Sequence, residues 1–289
     1  MTIRSLKPKR MLNRSFGGNL ALDVVLLLFG AVMVLPMVYA VGNSLKPLDE
    51  FFIFPPKFFP QNPTLGNFSM LFRLFNSGEV PIARYVFNTV FISVVGTAGQ
   101  MILSSMAAYA VAKMRFPGRE LIFRSVVLAL MFNSTVTGVA NFIVVQRLGL
   151  LDTYWAIIIP SFSSTLGLYL MKQFMEQMIP GTILEAAQID GAGEARIFFR
   201  IVMPMVRPAW LTLIIFAFQG LWNTGASPYV FREELKTLNY ALSQVLAGGV
   251  SRSGAAAAGS VLAMIVPIVM FVTTQSNIVE TMATSGMKE

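Results

Sequence analysis

Six stretches of this chain run without a single Asp, Glu, Lys, Arg or His: Val24–Leu45, Tyr85–Ala112, Ser125–Gln146, Thr153–Met171, Pro208–Phe231 and Ser253–Val279. Crossing the hydrocarbon core of a bilayer takes roughly 20 apolar residues. Lipid offers no partner to a backbone N–H or C=O, so each window predicts a helix that satisfies its own backbone. The expected fold class is all-α: a polytopic membrane protein with six transmembrane helices. The balance of residues agrees. Only 12% are charged and 55% are hydrophobic, against about 25% charged in a soluble domain. Mean hydropathy is +0.66.

Cys and His are both absent. That removes disulfides, thiolate chemistry, zinc sites built from His and Cys, and any triad needing an imidazole. No metal site is expected. The net charge of +8 fits basic loops facing the cytoplasm and anionic lipid; nucleic acid is not expected as a partner. The N-terminal tail carries Arg4, Lys7, Lys9, Arg10 and Arg14 before an apolar run. That run exceeds the typical signal-peptide core and lacks a small-residue cleavage pattern, so it reads as the first anchored helix. The 113–124 and 172–207 connections are also basic, through Lys113, Arg115, Arg119 and Arg124, then Lys172, Arg196, Arg200 and Arg207. The positive-inside rule puts these regions and both termini in the cytoplasm. The chain divides into residues 1–84 (tail, first helix, outer loop), a core over 85–279, and a tail over 280–289.

The first outer loop holds Pro55, Pro56 and Pro60 among many Phe residues, which rules out regular helix there. It reads as a docking surface for an extracytoplasmic partner or as an interfacial packing loop. Near the sixth window, Gly248, Gly249, Gly254 and Ala255–Ala258 predict close packing against protein rather than lipid.

The 172–207 connection is long for a turn. Pro180 is suited to open a helix, and Ile183 to Ile189 reads as a short one. Gly191-Ala192-Gly193 breaks it, with Asp190 at a turn or cap. A second helix is expected from Glu194 to Met203. There Ile197, Phe198, Ile201, Val202 and Met205 share one face, and Arg196, Arg200 and Arg207 lie on another. Two readings stand: a narrow knob that enters a cleft on a partner, or an amphipathic hairpin anchored to lipid.

The string Glu185-Ala186-Ala187-Gln188-Ile189-Asp190-Gly191, followed by Pro204, closely resembles the coupling loop of permease subunits in bacterial binding-protein-dependent ABC importers. Asn88-Thr89, Ala107-Ala108-Tyr109-Ala110, Phe116-Pro117-Gly118-Arg119, the Leu148–Thr153 run and Trp222-Asn223 extend the likeness. Together they are similar to the shorter permease of the maltose-type carbohydrate-uptake family, over about Tyr85 to Asn277. The resemblance implies the type I importer permease fold and a heterodimer with a second permease. It also implies two ATPase subunits, an extracytoplasmic solute-binding protein, and a place in the bacterial inner membrane. By the same resemblance Glu185, Ala186, Ala187, Asp190 and Gly191 dock on an ATPase, and Pro204 fixes the exit from the loop. The end, Ser285-Gly286-Met287-Lys288-Glu289, departs from the family's Gly-Ala-x-Lys-Gly tail, so an ATPase-contacting role for the tail is not supported.

No P-loop and no Gly-Lys pair occurs in the chain. Hydrolysis, with its ATP and Mg, is expected in the partner; this chain is not expected to be an enzyme or to hold a cofactor. A proton-driven secondary transporter usually keeps ionisable groups inside the membrane, and the six windows hold no Asp, Glu, Lys, Arg or His. Sodium held by carbonyls and hydroxyls is not excluded by the same reasoning. A membrane scaffold and an ABC permease for a non-sugar solute also compete. Polar residues in the third and fourth windows (Asn133, Ser134, Thr135, Thr137, Asn141; Ser161, Ser163, Ser164, Thr165) line a path or act as interhelical glue. Gln219, Trp222, Asn223 and Asn133 are the substrate-path candidates, an aromatic face beside amides suiting a sugar ring. Trp222 reads equally well as a membrane-interface anchor.

Overall fold

The computed structural model describes residues 16–132 and 134–285. The basic N-terminal tail, Asn133 and the last four residues lie outside them. All regular structure among the described residues is helical. The helices are α1 (Phe16–Ser44), α2 (Gly66–Asn76), α3 (Ile82–Lys113), α4 (Arg119–Ala129), α5 (Ser134–Arg147), α6 (Trp155–Ser161) and α7 (Thr165–Met178). Then follow α8 (Gly181–Ile189), α9 (Glu194–Ile197), α10 (Met203–Met205), α11 (Arg207–Trp222), α12 (Leu238–Ala247) and α13 (Ser253–Ser285).

Every charge-free window contains helix, but not always one helix. The stretches Leu20–Ser44, Ile82–Lys113 and Val250–Thr274 are each long and apolar enough to cross a membrane alone. The third and fourth windows are helix pairs, where absence of charge alone predicts single helices. In the fourth, α6 runs through Pro160 and its last turn tightens, Phe162 N bonding Ile159 O and Ser163 N bonding Pro160 O. The helix ends at Ser161, and the chain restarts at Thr165 with the Ser164 hydroxyl accepting from Gly167 N at 3.0 Å. In the third window the α4 turn tightens, Met131 N bonding Leu128 O and Phe132 N bonding Ala129 O. The fifth window is helical only to Trp222, and residues 223–237 fold back as a loop containing one short 3-10 turn.

The long α3 is the spine. It packs on α7 and α11, and glycine allows the approach. A Cβ on Gly99 would collide with the Phe162 ring, and one on Gly96 would sit 2.5 Å from Leu221. One apolar cluster lies where α3, α7 and α11 meet the 179–206 segment, with Met171, Met175, Ile179, Ile197, Val202 and Val206 almost fully buried. A second cluster joins α2, α12 and the start of α13 through Leu71, Phe75, Leu242, Ala255 and Ala258. There Gly254 lies against Asn67 and Gly259 against Leu242, the close protein packing that the small residues predict. By contrast α1 has no buried residue from Leu20 to Val41; it touches the rest of the described chain chiefly through α13 and presents the surface of a helix meant for lipid or another subunit.

The loop of residues 46–64 is pinned rather than free. Asn67 Nδ2 donates to Ser44 O and Lys46 O at 2.9 and 2.7 Å, and the Glu50 carboxylate accepts from the amides of Gln61 and Asn62. Phe52, Phe54 and Phe59 remain exposed on it.

Candidate functional site

The 180–207 connection folds into the hairpin that the glycines and prolines predict. Pro180 is extended (φ −63°, ψ 140°) and opens α8. Asp190 caps the other end, and Gly191 takes φ +76°. Gly191 N bonds Gln188 O at 3.0 Å and Ala192 N bonds Ala187 O at 2.9 Å. This pair of bonds is the Schellman closure, which needs a left-handed residue where Gly191 stands. The chain then reverses into α9.

Burial sorts the docking candidates. Leu184 and Ala187 turn into the core with Ile197, Phe198 and Val202. Glu185, Ala186, Asp190 and Gly191 are exposed, and Ile189 at the tip is 86% exposed. Ala187 is therefore a root of the hairpin, not part of its outer surface. The expected α-helix to Met203 is interrupted. Residues Phe198–Val202 form a π turn in which Met203 N bonds Phe198 O, five residues back. Pro204 has no N–H to give the preceding turn, which accommodates the widened spacing. Two residues later the axis bends by 82° between Glu194–Met205 and α11, and Trp210 Nε1 ties the corner by donating to Met203 O at 3.0 Å. The hairpin thus runs directly into α11 through a hydrogen-bonded corner.

Two contributors escape a reading of the sequence. Glu194 accepts from Tyr109 Oη at 2.7 Å and from Gln188 Nε2 at 3.1 Å, stitching the hairpin to α3 across 85 residues of sequence. Tyr109 sits inside the Ala107–Ala110 string, and nothing in its spacing identifies this partner. Between α8 and the end of α3 lies a cavity of about 760 Å³, lined among others by Lys113, Arg119, Glu185 and Gln188. Glu185 faces this cavity rather than the tip.

Burial separates the substrate-path candidates among the described residues. Trp222 is 3% exposed, stacks on Phe218 with centroids 5.5 Å apart, and donates Nε1–H to Ala263 O at 3.0 Å. Burial and a satisfied N–H make it a packing residue between α11 and α13, neither path wall nor interface anchor. Gln219 is half-buried, and Asn223 is exposed at the α11 C-cap, its N bonding Gln219 O. Asn133 lies outside the described residues. Ser161 and Ser164 bond within their own segment, to Ile158 O and from Gly167 N, and so act as local caps rather than glue between helices.

At the opposite end, the Leu148–Thr153 run carries a clasp. Asp152 takes φ +60°, a conformation Asp tolerates better than most residues. Its Oδ1 accepts from the amides of Phe231 and Arg232 at 3.0 and 2.9 Å, and its Oδ2 from Arg232 Nε at 2.7 Å. The Arg232 amide foremost, joined by the Phe231 amide and the guanidinium and only partly opposed by desolvation, holds this carboxyl below its ordinary value. A lowered folded pKa means stability that is present above the unfolded value, near pH ~3.9, and lost as pH falls through the folded one. Asp152→Asn is expected to lower Tm at pH 7 and to flatten the acid side of a Tm–pH profile. Identical profiles for the two proteins refute the clasp.

Residues 100–282 match the family described as "Binding-protein-dependent transport system inner membrane component". The chain is 35% identical over 216 residues to the polygalacturonan/rhamnogalacturonan transport system permease protein YtcP of Bacillus subtilis (strain 168), covering 74% of this chain and 71% of that one. It is 34% identical over 210 residues to protein LplC of the same organism, covering 70% and 67%. Its fold matches a subunit of a crystallised bacterial ABC transporter involved in the import of the acidic polysaccharide alginate. The TM-score is 0.77, with 21% identity over 92% of this chain and 99% of that one.

Proposed function

Because the chain belongs to the inner membrane components of binding-protein-dependent transport systems, we propose that it is one permease of a heterodimer that imports a sugar or oligosaccharide by alternating access. A second permease completes the path, two ATPase subunits supply hydrolysis, and the α8–α9 hairpin is the coupling element. The N- and C-termini and the hairpin face the cytoplasm, and the 223–252 region and the 46–84 loop face outward. One observation carries the reading. The hairpin shows a closed glycine tip to solvent while its root is buried among residues of α3, α7 and α11. A force on Gly191 therefore reaches the helices that must move.

Carbohydrate is favoured by the names of relatives such as YtcP and by the absence of Asp, Glu, Lys, Arg and His from the six windows, which suits a neutral substrate. An acidic glycan needs its counter-charge from the second permease or from the outer loops. The test is purification from native membranes in detergent, with mass spectrometry of what accompanies the chain. A second permease, an ATPase and a solute-binding protein are expected. That binding protein is then screened by thermal shift against neutral and uronate oligosaccharides. Recovery of this chain alone, active in ion-driven uptake in liposomes, overturns the proposal.

A further inference from the structure

The Phe116-Pro117-Gly118-Arg119 turn has no part in the hairpin, yet it stands across the 760 Å³ cavity from it. One wall of that cavity is a single face of α8: Gly181, Leu184, Glu185 and Gln188, spaced i, i+3, i+4, i+7. The facing wall carries Lys113, Arg115 and Arg119. Two of these cations are already engaged. Lys113 Nζ donates to Ile179 O at 2.7 Å. Arg119 reaches Ala112 O and Met114 O at 3.4 and 3.5 Å and stands 3.7 Å from Glu176. Arg115 is exposed and makes no hydrogen bond or ion pair among the described residues. Gly118, at φ +86°, provides the reversal after it.

We infer that the ATPase-docking surface is two-sided: the cavity face of α8 and Arg115 together receive an acidic segment of the ATPase subunit. This rests on the reading of α8–α9 as the coupling element. The cavity is continuous with that element, since α8 supplies both the tip and the wall. An unpaired guanidinium at its rim is complementary to a carboxylate, which it binds through two N–H groups at once. A lipid phosphate is the poorer occupant. Glu185 and Glu194 share the cavity with the cations, so an occupant must bring hydrogen-bond donors for two carboxylates as well as an anion for Arg115. A protein segment brings donors for them along with its acid.

The absence of cysteine from the chain permits a clean test. Arg115→Cys and Ile189→Cys are each labelled with a thiol-directed photocrosslinker in the assembled transporter, reconstituted in nanodiscs. Both are expected to crosslink to the ATPase subunit. If Ile189→Cys does so while Arg115→Cys yields only lipid or intrachain adducts, this inference fails alone. If neither reaches the ATPase, the coupling role fails with it. In parallel, Arg115→Glu is expected to reduce ATPase retained on the purified permease by about fivefold, the ratio corresponding to about 1 kcal/mol for an exposed ion pair. The loss should shrink in high salt, and Arg115→Lys should retain most of the binding. Arg115 touches nothing that holds the fold, so unchanged retention in Arg115→Glu overturns the proposal.

Discussion

Gly191→Asp leaves the subunit folded and inserted but is expected to reduce uptake at least tenfold. The two halves of that expectation have separate physical grounds. Folding survives because a Cβ at Gly191 meets no atom within 4 Å, so the substitution carries only the left-handed backbone penalty, about 1–2 kcal/mol and at the low end for Asp. Function is lost if the tip docks as proposed, because a second carboxylate beside Asp190 is then carried into the partner's cleft, where an unpaired desolvated charge costs several kcal/mol. A loss of 1.4 kcal/mol is already tenfold. Gly191→Ala separates the causes, since it carries backbone strain without charge or bulk and should lose much less. The measurement is uptake and ATP hydrolysis side by side in proteoliposomes containing the whole transporter. Hydrolysis that no longer responds to the loaded binding protein, with uptake collapsed, is the expected pattern. Normal uptake at normal expression would falsify the docking role.

The hairpin is legible in the sequence for a definite reason. Its turn chemistry is local: Pro180 opens, Gly191 closes, and the apolar residues of 197–205 share one face whatever lies around them. The charge-free windows are legible because lipid imposes one rule on every segment. What the windows do not reveal is where a segment breaks. A window defined by missing charge is blind to the tight turns that close α4 and α6, and the stop after Trp222 depends on where residues 223–237 find partners. Trp222 shows the same limit. An aromatic beside amides looks like a sugar wall until the 41-residue reach to Ala263 O appears. The bond between Glu194 and Tyr109 is likewise a product of folding. Residues far apart in sequence carry no local mark of the pair they form.

Asn88→Leu is expected to be among the most destabilising single changes in the chain, with no contact to the coupling hairpin. Asn88 is fully buried. Its Nδ2 donates to Glu234 O and Lys236 O, both at 2.8 Å, and its Oδ1 accepts from Tyr154 Oη at 2.7 Å. One amide thus joins α3, the start of α6 and the 223–237 loop. Beside it Thr89 Oγ1 accepts from Leu238 N at 2.8 Å, which fixes the start of α12. Leucine has the same branched outline, with bulkier methyl groups, but leaves two carbonyls and a hydroxyl without this partner. Each stranded group costs about 1–3 kcal/mol, so a total of about 3 kcal/mol or more is expected. Tyr154→Phe removes only one of the three bonds and should cost about 1 kcal/mol. The double variant tests whether the groups act as a unit, because residues in one network do not add. After Asn88→Leu most of the Tyr154→Phe effect should be gone. Unfolding midpoints of the purified transporter in nanodiscs provide the measurement. A small shift for Asn88→Leu, or strict additivity in the double variant, would show that the 223–237 loop is held by its apolar contacts, with Val230, Leu235 and Leu238 sufficient to keep it on the bundle.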